Sequence, residues 1–125
     1  MSTDLGAANQ PFNITNGDIF RWQDMWPAMA DYFGMETAHP QKIDLVHVMA
    51  DKAPLWESLV NKHDLLPIPY KQLVGWNYGN FVFTPEFDII SSTIKARQYG
   101  FSEAQDSQEM FLRHFEGLRQ NRIIP

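Results

Sequence analysis

The sequence predicts an α+β fold, mostly helical with a few short strands, and three observations carry that reading. Apolar side chains recur at helical spacing in several separate stretches. Glycine, proline and Asn/Asp residues punctuate the chain between those stretches. Short alternating or β-branched segments stand near both ends.

In order along the chain, Phe12-Asn13-Ile14-Thr15 alternates apolar and polar and predicts a strand, stopped by the turn signal Asn16-Gly17-Asp18. Asp18 is placed to cap the helix that follows. Phe20, Trp22, Met25, Trp26, Met29 and Phe33 give that helix its apolar face, and Gly34 ends it. Pro27 lies inside the pattern, so the helix kinks there or a second one starts. Residues 45–61 form the next helical stretch, with Pro54 opening a new helix that carries Leu55, Trp56, Leu59 and Val60. Pro67 and Pro69 make residues 66–70 a loop. Residues 76–83 are aromatic and contain Gly79, which reads as strand or buried loop. Thr84-Pro85-Glu86 has the chemistry of a helix start, followed by Phe87, Ile90 and Ile94 on one face and Gly100 at the end. Asp106 with Glu109 matches a capping box for a last helix faced by Met110, Phe111, Phe115 and Leu118. Ile123-Ile124-Pro125 reads as an edge strand.

A hydrophobic fraction of 44 % against 20 % charged residues rules out general disorder. The net charge of −5 excludes nucleic acid and anionic membrane as expected partners. No run is long and apolar enough to cross a bilayer. The N-terminus lacks the basic and apolar regions of a signal peptide. The absence of cysteine removes disulfides, thiolate metal sites and cysteine nucleophiles, and fits a cytoplasmic location. Residues 1–11 read as a flexible lead-in, and residues 12–125 as one functional portion.

The chemistry that the sequence lacks is as informative. No G-x-G-x-x-G and no Walker loop occurs. The histidines His39, His47, His63 and His114 have no metal-ligand spacing, so no metal is expected. Ser58, Ser91 and Ser92 lack a nucleophile elbow. Four residues after Tyr32, Tyr70, Tyr78 and Tyr99 stand Glu36, Val74, Val82 and Glu103, so Tyr-x-x-x-Lys is absent.

The segment from Asn13 through Asp18-Ile19-Phe20-Arg21-Trp22, then Met25-Trp26-Pro27 and Tyr32-Phe33-Gly34, resembles the C-terminal part of the progesterone 5β-reductase/iridoid synthase family of extended short-chain dehydrogenases. The resemblance continues through Met49-Ala50-Asp51-Lys52-Ala53-Pro54-Leu55-Trp56 and Trp76-Asn77-Tyr78-Gly79. It extends over residues 91–101 and ends with Arg122-Ile123-Ile124-Pro125. It implies a C-terminal, substrate-side portion of a Rossmann-type (α/β) reductase whose Rossmann core is absent. It further implies reduction of activated C=C bonds (enone-type acceptors) or carbonyls with NADPH or NADH, held by a missing N-terminal Rossmann domain. The isolated chain is then expected to be inactive and to bind no cofactor. Tyr78 is implied to line the pocket for a small apolar substrate, with Phe81, Phe83 and Phe87 as neighbours. An unpaired strand edge and uncovered apolar faces predict a homo-oligomer. A helical module binding an apolar ligand or a protein, and an enzyme completed by a separate Rossmann polypeptide, are the competing expectations.

Overall fold

The computed structural model describes residues 5–125, with side chains from Gly6 onward. Most of the expected lead-in is therefore visible, as a 3-10 turn at Leu5–Ala7 and the residues after it, while residues 1–4 lie outside the described part. Among the described residues the regular structure is all helical. The helices are α1 (Trp22–Tyr32), α2 (Leu45–Val48), α3 (Ala53–His63), α4 (Tyr70–Leu73), α5 (Trp76–Phe83), α6 (Ile94–Gln98) and α7 (Ser107–Gln120). The chain divides into two compact units. The first comprises residues up to Thr37 with Asp88–Leu112, the second Ala38–Phe87 with Arg113–Pro125.

In the first unit, Met25, Met29 and Ala30 turn one face of α1 inward, and Ala7 and Ala96 are buried with them as the apolar core. Aromatic edges extend it: Phe20 meets Trp22 at 5.2 Å between ring centroids and Phe111 at 6.1 Å, both edge-on. α1 and α6 stop by one device. Gly34 and Gly100 adopt φ of +65° and +81°, so the next residue reaches back into the helix. Met35 N–H donates to Ala30 O at 2.8 Å, and Phe101 N–H to Ala96 O at 3.0 Å. Both glycine stops are those the sequence predicts.

Polar ties join distant parts of this unit. Ser107, at 2 % exposure, is its buried polar residue. Asp18 accepts both the Ser107 N–H at 2.7 Å and its hydroxyl at 2.8 Å, and Asn16 Nδ2 donates to the Ser107 Oγ at 3.0 Å. Arg21 grips Asp88 through two nitrogens. Lys95 donates to Gln10 and to the Pro11 carbonyl while lying 5.0 Å from the Phe12 ring centroid.

In the second unit, Leu65 is the buried apolar residue. α2 packs on α5, and α3 on α4. Half-buried side chains find backbone partners: Trp56 Nε1 donates to Ile68 O at 2.8 Å, and the Tyr70 hydroxyl to Met49 O at 2.7 Å. Leu66 N–H donates to Arg122 O at 2.8 Å. α3 begins at Ala53 with Pro54 in its first turn, as expected, and ends on Asp64 at φ +51°.

Several expectations are corrected. Residues 12–15 form no strand. Among the described residues no second strand stands beside them, and the segment is tied instead by a side chain of its own, Asn13 Nδ2 donating to Ser92 O at 3.1 Å. Residues 123–125 form no edge strand either; the Pro125 carbonyl is taken by Arg119 Nε at 2.7 Å. Residues 76–83 are the helix α5, because contact with α2 overrides the strand preference of their aromatics. The helix expected from Thr84 begins only at Ile94. Thr84 instead closes α5, donating its hydroxyl to Asn80 O, and Asp88 is drawn to Arg21. α1 runs unbroken through Pro27, so no second helix starts there. Asp18 does not cap α1, where Arg21 holds the N-cap position without a side-chain bond. It caps the start of α7 across the fold. Asp106 caps α7 locally, accepting the Glu109 N–H at 2.8 Å as the capping box predicts.

Candidate functional site

The resemblance points to α5 and the loop after it. α5 is eight residues long and starts at Trp76 with no side-chain cap. It is held instead from its flank. Asn80 Oδ1 accepts the Leu45 N–H at 2.8 Å, and Asn80 Nδ2 donates to Asp44 Oδ1 at 2.8 Å. Asp44 also caps α2, accepting from Val46 N–H at 2.9 Å and His47 N–H at 3.3 Å. These donors hold the Asp44 carboxyl below its ordinary range, the Asn80 amide first and the His47 N–H next.

With its flank fixed, α5 turns Tyr78 and Phe81 outward, while Trp76 at its start is half-buried beside Tyr70. Tyr78 is 72 % exposed and Phe81 73 %. Their rings lie 6.3 Å apart at 33°, as expected for side chains three positions apart on a helix. Phe83 closes the same helix at 43 % exposure. Phe87 lies beyond the helix in irregular chain and is 73 % exposed. The structure thus brings Tyr78 and Phe81 together and leaves Phe87 apart from helix α5. Exposed apolar side chains grouped on one element mark a surface that a ligand or partner covers.

The concavities of the first unit have different linings. One is water-sized, about 10 Å³, among Asn13, Thr15, Thr93, Arg97, Phe101 and Glu103. The other is an open hollow beside Pro27, Ala30 and Met35, rimmed by Asp31 and Glu36. The first is too small for anything beyond a water, and the second is open and mostly polar, so neither has the form of a small-molecule pocket.

A dinucleotide needs a glycine turn leading from a strand into a helix N-terminus. Here the glycines with positive φ are Gly17, in a turn, and Gly34 and Gly100, which end helices. These residues do not fit a nicotinamide cofactor. Asn80 is the residue that sequence reading passed over. Its signal becomes legible only once residues 76–83 are known to be helical: asparagine is a poor interior residue for a helix unless its side chain has a task.

Over nearly its whole length the chain matches the C-terminal part of iridoid synthase-like short-chain dehydrogenases/reductases. It is 30 % identical over 128 residues to (S)-8-oxocitronellyl enol synthase of Catharanthus roseus. It is 31 % identical over 127 residues to the enzyme of that name from Antirrhinum majus. It is also 31 % identical over 140 residues to the short chain dehydrogenase gsfE of Penicillium aethiopicum. These alignments take in 99 to 100 % of this chain but 33 to 37 % of the relatives, so the chain spans about a third of the curated relatives it matches. No protein-family profile matches the chain. Among the described residues, no helix is long and apolar enough to cross a membrane.

Proposed function

We propose that this chain is the substrate-binding portion of an NAD(P)H-dependent short-chain reductase acting on enone-type or carbonyl substrates. The observation that carries the proposal is the outward pair Tyr78–Phe81, fixed at its flank and open on its face. Phe83 extends that surface along the same helix, and Phe87 adds an exposed ring in the chain beyond it. Residues 12–125 act as one functional portion, with residues 1–11 as lead-in. The nucleotide and the groups that move protons belong to a Rossmann domain outside these residues. This chain's own part is to bind the apolar body of the acceptor, orient it and keep water away. The absence of cysteine agrees with cytoplasmic work, and the exposed apolar residues agree with self-association of the chain on its own.

The test is a fusion in which this chain replaces the matching third of the Penicillium aethiopicum short chain dehydrogenase. The expected result is NADPH oxidation dependent on an added enone or carbonyl substrate, while the chain alone binds no NADPH in a calorimetric titration. NADPH binding to the chain alone with a dissociation constant near or below about 10 μM overturns the division of labour. A folded fusion that binds NADPH but turns over no such substrate favours the non-enzymatic apolar-binding module.

A further inference from the structure

We infer that Asn80, with Asp44 as its partner, is a positioning residue that sets the direction in which α5 presents Tyr78 and Phe81. The inference rests on the reading of that face as the substrate side.

Four consecutive residues of α5 divide their work. Tyr78 and Phe81 stand outward, and Gly79 and Asn80 between them meet α2. A Cβ at Gly79 would lie 2.9 Å from Leu45 Cδ1, so the Leu45 side chain at the start of α2 packs directly on the bare glycine. Asn80 then uses both ends of its amide. The oxygen accepts the Leu45 N–H, and the nitrogen donates to the Asp44 carboxylate. A carboxylate at position 80 has no donor for Asp44, and an alkyl group has neither function. The carbonyl of Asn80 is engaged as well, by the Thr84 hydroxyl that closes the helix. α5 has no side-chain cap at its start, so these bonds fix its rotation about its own axis. A slip of one residue would turn the aromatic pair by about 100°.

The experiment uses the whole chain and a neutral apolar dye, N-phenyl-1-naphthylamine, titrated by fluorescence at a temperature where thermal melts show each variant folded. Tyr78→Ala and Phe81→Ala are expected to weaken dye binding. Asn80→Asp sets two carboxylates against each other and is expected to weaken it about fivefold. Adding Asp44→Asn to Asn80→Asp returns a donor to the pair and is expected to restore most of the affinity. That rescue is the readout that general loosening of the fold does not give. If Tyr78→Ala and Phe81→Ala leave the affinity unchanged, the substrate-face reading fails and this inference with it. If they weaken binding while Asn80→Asp does not, or if Asp44→Asn gives no rescue, only the positioning role is overturned. Should Asn80→Asp not fold, Asn80→Ala takes its place, and unchanged affinity in the folded variant overturns the inference.

Discussion

The two units solve the same problem with different materials. The first has an apolar centre made of Met25, Met29, Ala30, Ala7 and Ala96, and it ties residues far apart in sequence through the buried Ser107. The second buries Leu65 and otherwise depends on single side chains that reach backbone carbonyls, as Trp56 and Tyr70 do. It also carries the most outward aromatic residues, Tyr78, Phe81 and Phe87. The difference teaches where function can be placed. A region that spends its aromatics on an outward face must be held by hydrogen bonds, because those side chains no longer contribute burial.

The strongest way to break this comparison is Met25→Ala. Met25 is 3 % exposed, and truncation there is expected to cost about 3 kcal/mol in urea unfolding. A cost below about 1 kcal/mol would show that the first unit has no core worth the name.

Asp18→Ala comes next. It leaves the Ser107 hydroxyl and N–H without their acceptor, which, discounted for the exposure of the carboxylate, is expected to cost about 1–2 kcal/mol at neutral pH. The Ser107 N–H and hydroxyl lower the Asp18 pKa, partly opposed by burial. A lowered folded pKa means that the unfolded chain binds more protons, so stability rises with pH through this window. The contribution is complete above the ordinary value of 3.8 and is lost as pH falls through the lower folded value. The difference between wild type and Asp18→Ala should therefore close below that point, and equal melts at neutral pH would remove Asp18 from the account.

The smallest effect sharpens the second unit. Trp56→Phe keeps an aromatic ring and removes the donor to Ile68 O, for an expected loss of about 1 kcal/mol. Hydrogen exchange read on α3 should quicken by about fivefold to tenfold. No change there would mean that apolar contact alone holds this helix.

The sequence also marked the family, because its resemblance runs in order through most of the chain. It did not reveal the tie between Asp44 and Asn80, since residues 36 apart in sequence share no local pattern. The aromatic positions on α5 were legible only through the resemblance, which also implied that apolar faces such as the Phe81–Phe87 group would lie uncovered.

What the sequence determined by itself is local. Gly34 and Gly100 end helices because a positive φ is cheap only without a Cβ. Pro54 stands in a first turn because its missing N–H has no partner to lose there, and Asp106 caps α7 within three residues of itself. Tertiary structure decided the rest. Residues 76–83 became helical against α2, residues 12–15 found no strand to pair with, and Asp18 served α7 rather than the helix beside it. In each case the deciding partner lies far along the chain, and spacing within a short window carries no record of which distant groups will meet.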